Sequence, residues 1–522
     1  MNARSALALF LIIGLIAPRA GEAQRPDIVE ITIAEAHAAM RGGELTCRAL
    51  VRGYLDRIEA YDQTGPRLNA IQTVNPRALA LADSLDGVMA SGGTPGPLHC
   101  VPVLLKDQVE TRDMPTTFGS VLFADWVSHR DATIVTRMRD AGAIILAKTN
   151  MGEFASRYVG SAYGIIRNAY DPDRNPSGSS GGTASGIAAS LGLVGIGEDT
   201  AGSIRGPAAV SNLVGLRPTL QLVSTHGMMP ANPTQDTMGP MARTVTDAAI
   251  LLDAIAGYDP GDPITAYAAG KVPASYADGL DPEALRGARI GILRQTAASF
   301  DSRDEVQPGY RAVEEVMAEA YAALEALGAV VVDSVVVDAL DSPPEAINLF
   351  ETEVATNEYL AELVDPPVAS LQEIMLSGVV NPWRVNSMWG LAGKTTDDPG
   401  YMAVLLEREE LRVSVLQAMA DHDLDALVHA TFDHPPTLIA PDVLTNPRPN
   451  DGYGTGDNRF LSPATGFPAL TVPAGFTPDG LPVGLEFLGR PFTEGQLLGF
   501  GFAFEQSTRH RRPAPTAPPL GN

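Results

Sequence analysis

The sequence predicts an α/β layer fold in one large domain, with helices laid over a mostly buried sheet. Apolar runs of strand length alternate with amphipathic helical stretches along the whole chain. The composition is uniformly globular, with 45% hydrophobic and 19% charged residues over 522 positions, ample for a large core. No stretch recurs at a fixed period, which sets aside solenoids, and no seam of Pro, Gly and Ser divides the chain.

Residues 1–23 read as an export leader rather than as part of the fold. Arg4 supplies a basic start, and residues 6–17 (ALALFLIIGLIA) form an apolar run too short for a comfortable membrane span. Gly21-Glu22-Ala23 then places small residues where a signal peptidase reads. Cleavage near Ala23 is expected to leave a periplasmic or secreted protein with no membrane anchor. The domain proper is expected over residues 24–510.

Within it, Cys47, Leu50, Val51, Tyr54 and Ile58 share one face of a helix over residues 44–61. Residues 100–106 (CVPVLLK) have the unbroken apolar character of a buried strand. A helix over 132–141, capped by Gly142, leads into a strand over 143–148. The order recurs later as strand 288–293, helix 309–327 with Gly328 as cap, and strand 329–337. Residues 434–456 carry the Pro, Asp, Asn and Gly of a long surface loop, and the Pro-rich tail 511–522 is expected to be disordered. Cys47 and Cys100 are expected as two separate buried thiols; the compartment permits a disulfide, but spacing alone cannot bring the two together.

A net charge of −25 opposes nucleic acid or an anionic membrane as partner, since both are polyanions. The chemistry concentrates in Pro176-Ser177-Gly178-Ser179-Ser180-Gly181-Gly182-Thr183-Ala184-Ser185. A small-residue helix pattern follows, and then a compact turn, Glu198-Asp199-Thr200-Ala201-Gly202-Ser203-Ile204-Arg205. Glycines ahead of a helix let backbone N–H groups converge on an anion or oxyanion. Neither stretch has the ending of a P-loop or the spacing of a dinucleotide fingerprint. Gly178-Ser179-Ser180-Gly181-Gly182 formally matches a hydrolase elbow with Ser180 as nucleophile, but two prolines in residues 168–176 rule out a central strand entering it. No context marks His226, His422, His429, His434 or His510 as a triad histidine, and His429 and His434 beside Asp433 do not have metal-ligand spacing.

These residues resemble the amidase signature family. Ser177-Gly178-Ser179-Ser180-Gly181-Gly182, Asp199-Thr200-Ala201-Gly202-Ser203-Ile204-Arg205 and the strand-end pair Lys106-Asp107 match the family's motifs. Lys148-Thr149-Asn150-Met151, Pro233-Thr234-Gln235-Asp236 and Gly239-Pro240-Met241-Ala242-Arg243 add to the likeness. The resemblance implies a mixed, twisted central sheet covered by helices. It also implies a triad in which Ser203 attacks the carbonyl and its proton passes through Ser179, after a cis peptide bond, to Lys106. Burial at an apolar strand end is expected to lower the lysine pKa. Backbone amides of Thr200, Ala201, Gly202 and Ser203 would form the oxyanion hole, and Ser180, Arg205 and Asp199 would support it. Ala201 and Ser177 stand where the family carries glycine, so strain at residue 201 is expected if φ is positive there.

The implied protein is a serine amidase without cofactor or metal, acting on a small-molecule or peptide amide as monomer or homodimer. An esterase or carbamate hydrolase on the same triad and the glutaminase subunit of a tRNA-dependent amidotransferase are the alternatives. Met151, Phe154 and Met229 are the candidates for the acyl pocket.

Overall fold

The computed structural model describes residues 27–295, 309–452 and 457–521; the leader at residues 1–23 lies outside them. Thirteen strands are present among these residues. They are β1 (Ile71–Val74), β2 (Pro102–Lys106), β3 (Ile144–Thr149), β4 (Val159–Gly160), β5 (Gly164–Ile165), β6 (Val194–Asp199) and β7 (Val214–Arg217). The remainder are β8 (Thr237–Ala242), β9 (Arg289–Ile292), β10 (Val330–Val332), β11 (Ala426–Ala430), β12 (Ala469–Phe476) and β13 (Pro482–Leu488). Strands β4 and β5 pair as a small hairpin, and the other eleven form one sheet in the order β1-β3-β2-β6-β8-β7-β12-β13-β11-β9-β10. The sheet is mixed: β3, β2 and β6 run parallel, the centre through β8, β7, β12 and β13 is antiparallel, and β11, β9 and β10 are parallel again.

Helices cover this sheet because its central strands are buried along nearly their whole length and cannot face water. Helices Gly181–Ala188 and Arg205–Val210 pack together against the strands around β6 and β7. A second contiguous set, Thr133–Asp140, Val245–Ile255, Glu494–Thr508 and Tyr310–Ala326, packs on neighbouring strands. One core cluster runs from Ile28 to Ala517, so most of the chain shares a single interior.

The expected elements are found with modest changes at their ends. The first of those helices starts at Cys47, because Thr46 caps it by accepting from the Ala49 N–H at 3.1 Å. The strand expected over 329–337 keeps only Val330–Val332, at the sheet edge.

Two expectations are corrected. Cys47 and Cys100 form a disulfide, with Cα atoms 5.6 Å apart. Each is turned inward, as their apolar faces predict, but the helix start and the approach to β2 meet at one place. The tail is ordered as well. Arg511 pairs with Glu30 at 2.7 Å, Ala514 and Ala517 are buried, and the Arg57 guanidinium donates to the carbonyls of Ala517 and Pro518 at 2.7 and 2.9 Å. Proline-rich backbone keeps its carbonyl acceptors, and here they satisfy donors of a buried cation.

Candidate active site

Strands β2 and β6 are parallel neighbours and end at Lys106 and Asp199, so the site sits outside the carboxyl ends of parallel strands. Lys106 is fully buried. Its ammonium donates to Ser179 Oγ at 2.8 Å, to the Glu198 carbonyl at 3.1 Å and to Glu198 Oε2 at 2.7 Å. Burial pushes the Lys106 amine below the usual lysine range, against the pull of the Glu198 charge.

Ser179 follows a cis Gly178–Ser179 peptide, one residue ahead of the Ser180 N-cap of helix Gly181–Ala188. Ser180 is turned away from the open cavity: its hydroxyl donates to the Glu198 carbonyl at 3.1 Å and accepts from the Glu198 N–H at 3.2 Å. It braces β6, and the elbow alternative has no exposed serine there. Gly182 is required by close approach, since a Cβ there would lie 2.1 Å from the Asn150 carbonyl oxygen.

The turn after β6 is pinned by Asp199. Its carboxylate accepts from the N–H groups of Gly202 at 2.6 Å and Ile204 at 3.2 Å, and from Arg205 Nε at 3.1 Å. Burial alone would raise this carboxyl, but the charges of Arg205 and Arg217 outweigh it and hold Asp199 below the usual range. Arg205 in turn bonds Glu486 and the Arg459 carbonyl. Positive φ falls on Gly202, at 103°, and not on Ala201, so the alanine is unstrained. The left-handed conformation instead falls on Ser177, the other position that departs from glycine, with φ 60°. One oxyanion assignment changes: the Gly202 N–H is taken by Asp199. Among the described residues the N–H groups of Thr200, Ala201 and Ser203 donate to no protein acceptor.

These N–H groups border a cavity of about 570 Å³ whose walls include Gly178, Thr200, Ala201, Ser203, Phe154 and Arg384. Ser203 is 9% exposed, and its hydroxyl makes no hydrogen bond among the described residues. Met151, Phe154 and Met229, the candidates for the acyl pocket, all line a smaller recess, and Phe154 and Arg384 border both spaces. None of His226, His422, His429, His434 and His510 borders the main cavity, and among the described residues no three His, Cys, Asp or Glu side chains are grouped to hold a metal.

Three side chains were missed by the sequence reading. Glu198 sits between Lys106 and Thr200, whose hydroxyl lies 2.6 Å from Glu198 Oε1 and 2.7 Å from Asp236 Oδ1. A second carboxylate beside Asp199 at the end of the run VGIGED was the available signal for Glu198, and the Pro233-Thr234-Gln235-Asp236 motif contained Asp236 without a role. Arg384 lies on helix Pro382–Trp389, outside every motif quoted above, and carried no signal.

A mixed sheet of this order carries a buried lysine bonded to one serine, and beside them a second serine and free backbone donors border a cavity; this is consistent with a hydrolase acting on carbon–nitrogen bonds of linear amides, the class that the family match supports. The chain belongs to the Amidase family, which matches residues 49–498. It is 34% identical to a probable amidase of Arabidopsis thaliana, over 93% of this chain and 92% of that one. It is 35% identical to a glutamyl-tRNA(Gln) amidotransferase chain of Moorella thermoacetica, over 94% and 99%. Among solved structures, the native peptide amidase of Stenotrophomonas maltophilia superposes with a TM-score of 0.81 at 36% identity, covering 93% of this chain and 98% of that one.

Proposed function

We propose that this amidase is an exported serine enzyme in which Ser203 forms an acyl-enzyme and passes its proton through Ser179 toward Lys106. The observation that carries the reading is the 2.8 Å bond from Lys106 to Ser179 beneath a cavity onto which Ser203 opens. A serine hydroxyl attacks only when its proton has somewhere to go, and a buried amine bonded to a second serine offers a path. The Thr200, Ala201 and Ser203 N–H groups then receive the oxyanion; such donors contribute about 3–4 kcal/mol each to the transition state.

The substrate class we favour is a peptide amide. Its support is the cavity of about 570 Å³, which has polar and apolar walls, together with the likeness to a peptide amidase. Export is supported by the apolar leader and by the Cys47–Cys100 disulfide, a bond that persists in oxidising compartments. The same features, with a charge of −25, oppose a cytosolic role on tRNA.

Ser203→Ala is expected to abolish turnover of a peptide amide with the melting temperature unchanged, and a fluorophosphonate should label Ser203. Labelling of Ser180 instead, or full activity of the variant, would overturn the assignment. N-terminal sequencing of exported protein is expected to start near Gln24. Rates on glutamine, anilides, esters and carbamates, measured beside peptide amides, rank the remaining alternatives.

A further inference from the structure

Two buried arginines show how this fold treats a guanidinium, and a third departs from them. Arg57 donates through Nε, Nη1 and Nη2 to the carbonyls of Ser190, Pro518, Ala189 and Ala517. Arg408, which borders the main cavity, places its three nitrogens on the carbonyls of Ala464, Thr234 and Pro463 and on Thr234 Oγ1. Arg459 borders the same cavity and is 8% exposed, yet only its Nη2 is placed, on Asp457 Oδ2 at 2.8 Å. A guanidinium carries five N–H donors. Nε of Arg459 is buried without a partner, and Nη1 donates to no acceptor among the described residues. Leaving buried donors unmade costs stability, so native folds keep few of them.

The rest of Arg459 is held from several sides. Its carbonyl accepts from Arg205 Nη2 at 2.7 Å, its backbone N–H donates to Asp457 Oδ1 at 2.9 Å, and its guanidinium carbon lies 3.6 Å from the centre of the Phe432 ring. The side chain is laid against the turn that carries Ser203. A Cβ on Gly202 would lie 3.3 Å from Arg459 Nη1, and a Cβ on Gly206 would lie 2.6 Å from it. These two glycines bracket Ser203 in the chain and leave the space that the guanidinium fills. Nη1 therefore stands at the nucleophile's turn, on a residue of the cavity wall. Asp457 already balances the charge, which suits the group to a neutral acceptor. A carboxylate on Nη1 would instead meet the Asp457 charge across the same guanidinium.

We propose that Arg459 determines specificity by donating from Nη1 to a neutral carbonyl oxygen of the substrate, that of the peptide bond preceding the scissile amide. This oxygen is four bonds from the scissile carbon and lies within about 5 Å of it by backbone geometry. Asp457 acts through Arg459 as a positioning residue. The acyl group favoured is an N-acylated amino acid or the end of a peptide chain, over a simple carboxamide that has no second carbonyl. A hydrogen bond from a charged donor is worth about 10- to 100-fold in binding. This deepens the peptide-amide reading above and rests on it.

The test compares two substrates with the same side chain and the same scissile amide: N-acetyl-L-phenylalaninamide, and hydrocinnamamide, which lacks the acetamido group. The wild type is expected to favour the first in kcat/KM, and Arg459→Met to shrink that ratio by about 10- to 100-fold. Arg459→Lys, which keeps a charged donor, is expected to recover part of the ratio. A residue that only props the turn would lower both rates alike, so an unchanged ratio in Arg459→Met overturns the proposal. The wild type alone gives a check that needs no variant to fold: equal kcat/KM on the two amides also overturns it. Benzylmalonic acid monoamide sets a carboxylate where the acetamido group stands. If the wild type prefers this acid and Arg459→Met abolishes the preference, the assignment of a neutral acceptor falls. A fluorophosphonate needs no peptide carbonyl, so a wild type that is not labelled at Ser203 sinks the triad reading. A labelled wild type with an unchanged ratio in Arg459→Met sinks the Arg459 assignment alone.

Discussion

Reducing the Cys47–Cys100 bond is expected to cost the fold about 4 kcal/mol, a magnitude set by the length of chain it closes. The two cysteines are separated by 53 residues, and tying a loop of that size removes about 14 cal/mol/K of entropy from the unfolded chain, or about 4 kcal/mol at 25 °C. Unfolding a chain this long carries an entropy of roughly 1 kcal/mol/K, so the melting temperature should fall by about 4 °C. Both cysteines are fully buried within the core cluster that holds Leu50, Val51 and Val103, so a Cys47→Ala/Cys100→Ala double variant adds a cavity cost of about 1–2 kcal/mol to the entropic loss. The assay has two parts. Thiols are titrated in denatured, unreduced protein, where none is expected. Thermal unfolding is then followed with and without reductant. Two titratable thiols, or a melting temperature indifferent to reductant, would refute the bond or the reasoning that gives it weight.

The buried carboxylates carry two more tests. Asp199→Asn is expected to lower kcat about 100-fold with little change in KM, because the turn that carries the free N–H groups loses its charged anchor; unchanged kcat in a folded variant would show that the turn holds itself. Asp247 is buried against the Ile33 N–H, and burial lifts its carboxyl to about 6. A folded pKa raised above the unfolded one stabilises below the unfolded value and loses that contribution as pH rises. Stability should therefore decline by about 3 kcal/mol between roughly pH 4 and 7 from this group. Asp247→Asn should flatten that part of the profile measured by chemical unfolding, and a variant with the wild-type slope would refute it.

Local chemistry and its order were legible in the residues alone. Alternating helix and strand patterns predicted an α/β layer fold, because burial on both faces of a sheet writes itself as unbroken apolar runs such as that of β2. The serine-rich stretches and Lys106 could be singled out because their residue types follow in a specific order, and the structure brings Lys106 and Ser179 into contact and opens Ser203 to the cavity beside them. Met151, Phe154 and Met229 were candidates by proximity to those motifs, and they share one recess. Whatever depends on the distance between remote segments was settled by the folded chain. Cys47 and Cys100 each looked inward, but only the packing of a helix start against the approach to β2 made them one bond. The C-terminal tail looked like a disordered segment by composition, yet its carbonyls answer Arg57, a partner more than four hundred residues away. Likewise Glu198 reads in the sequence as one more acid. Its meaning comes from β2 and β6 lying side by side, which leaves its carboxylate buried between Lys106 and Thr200, where a low local dielectric strengthens both bonds.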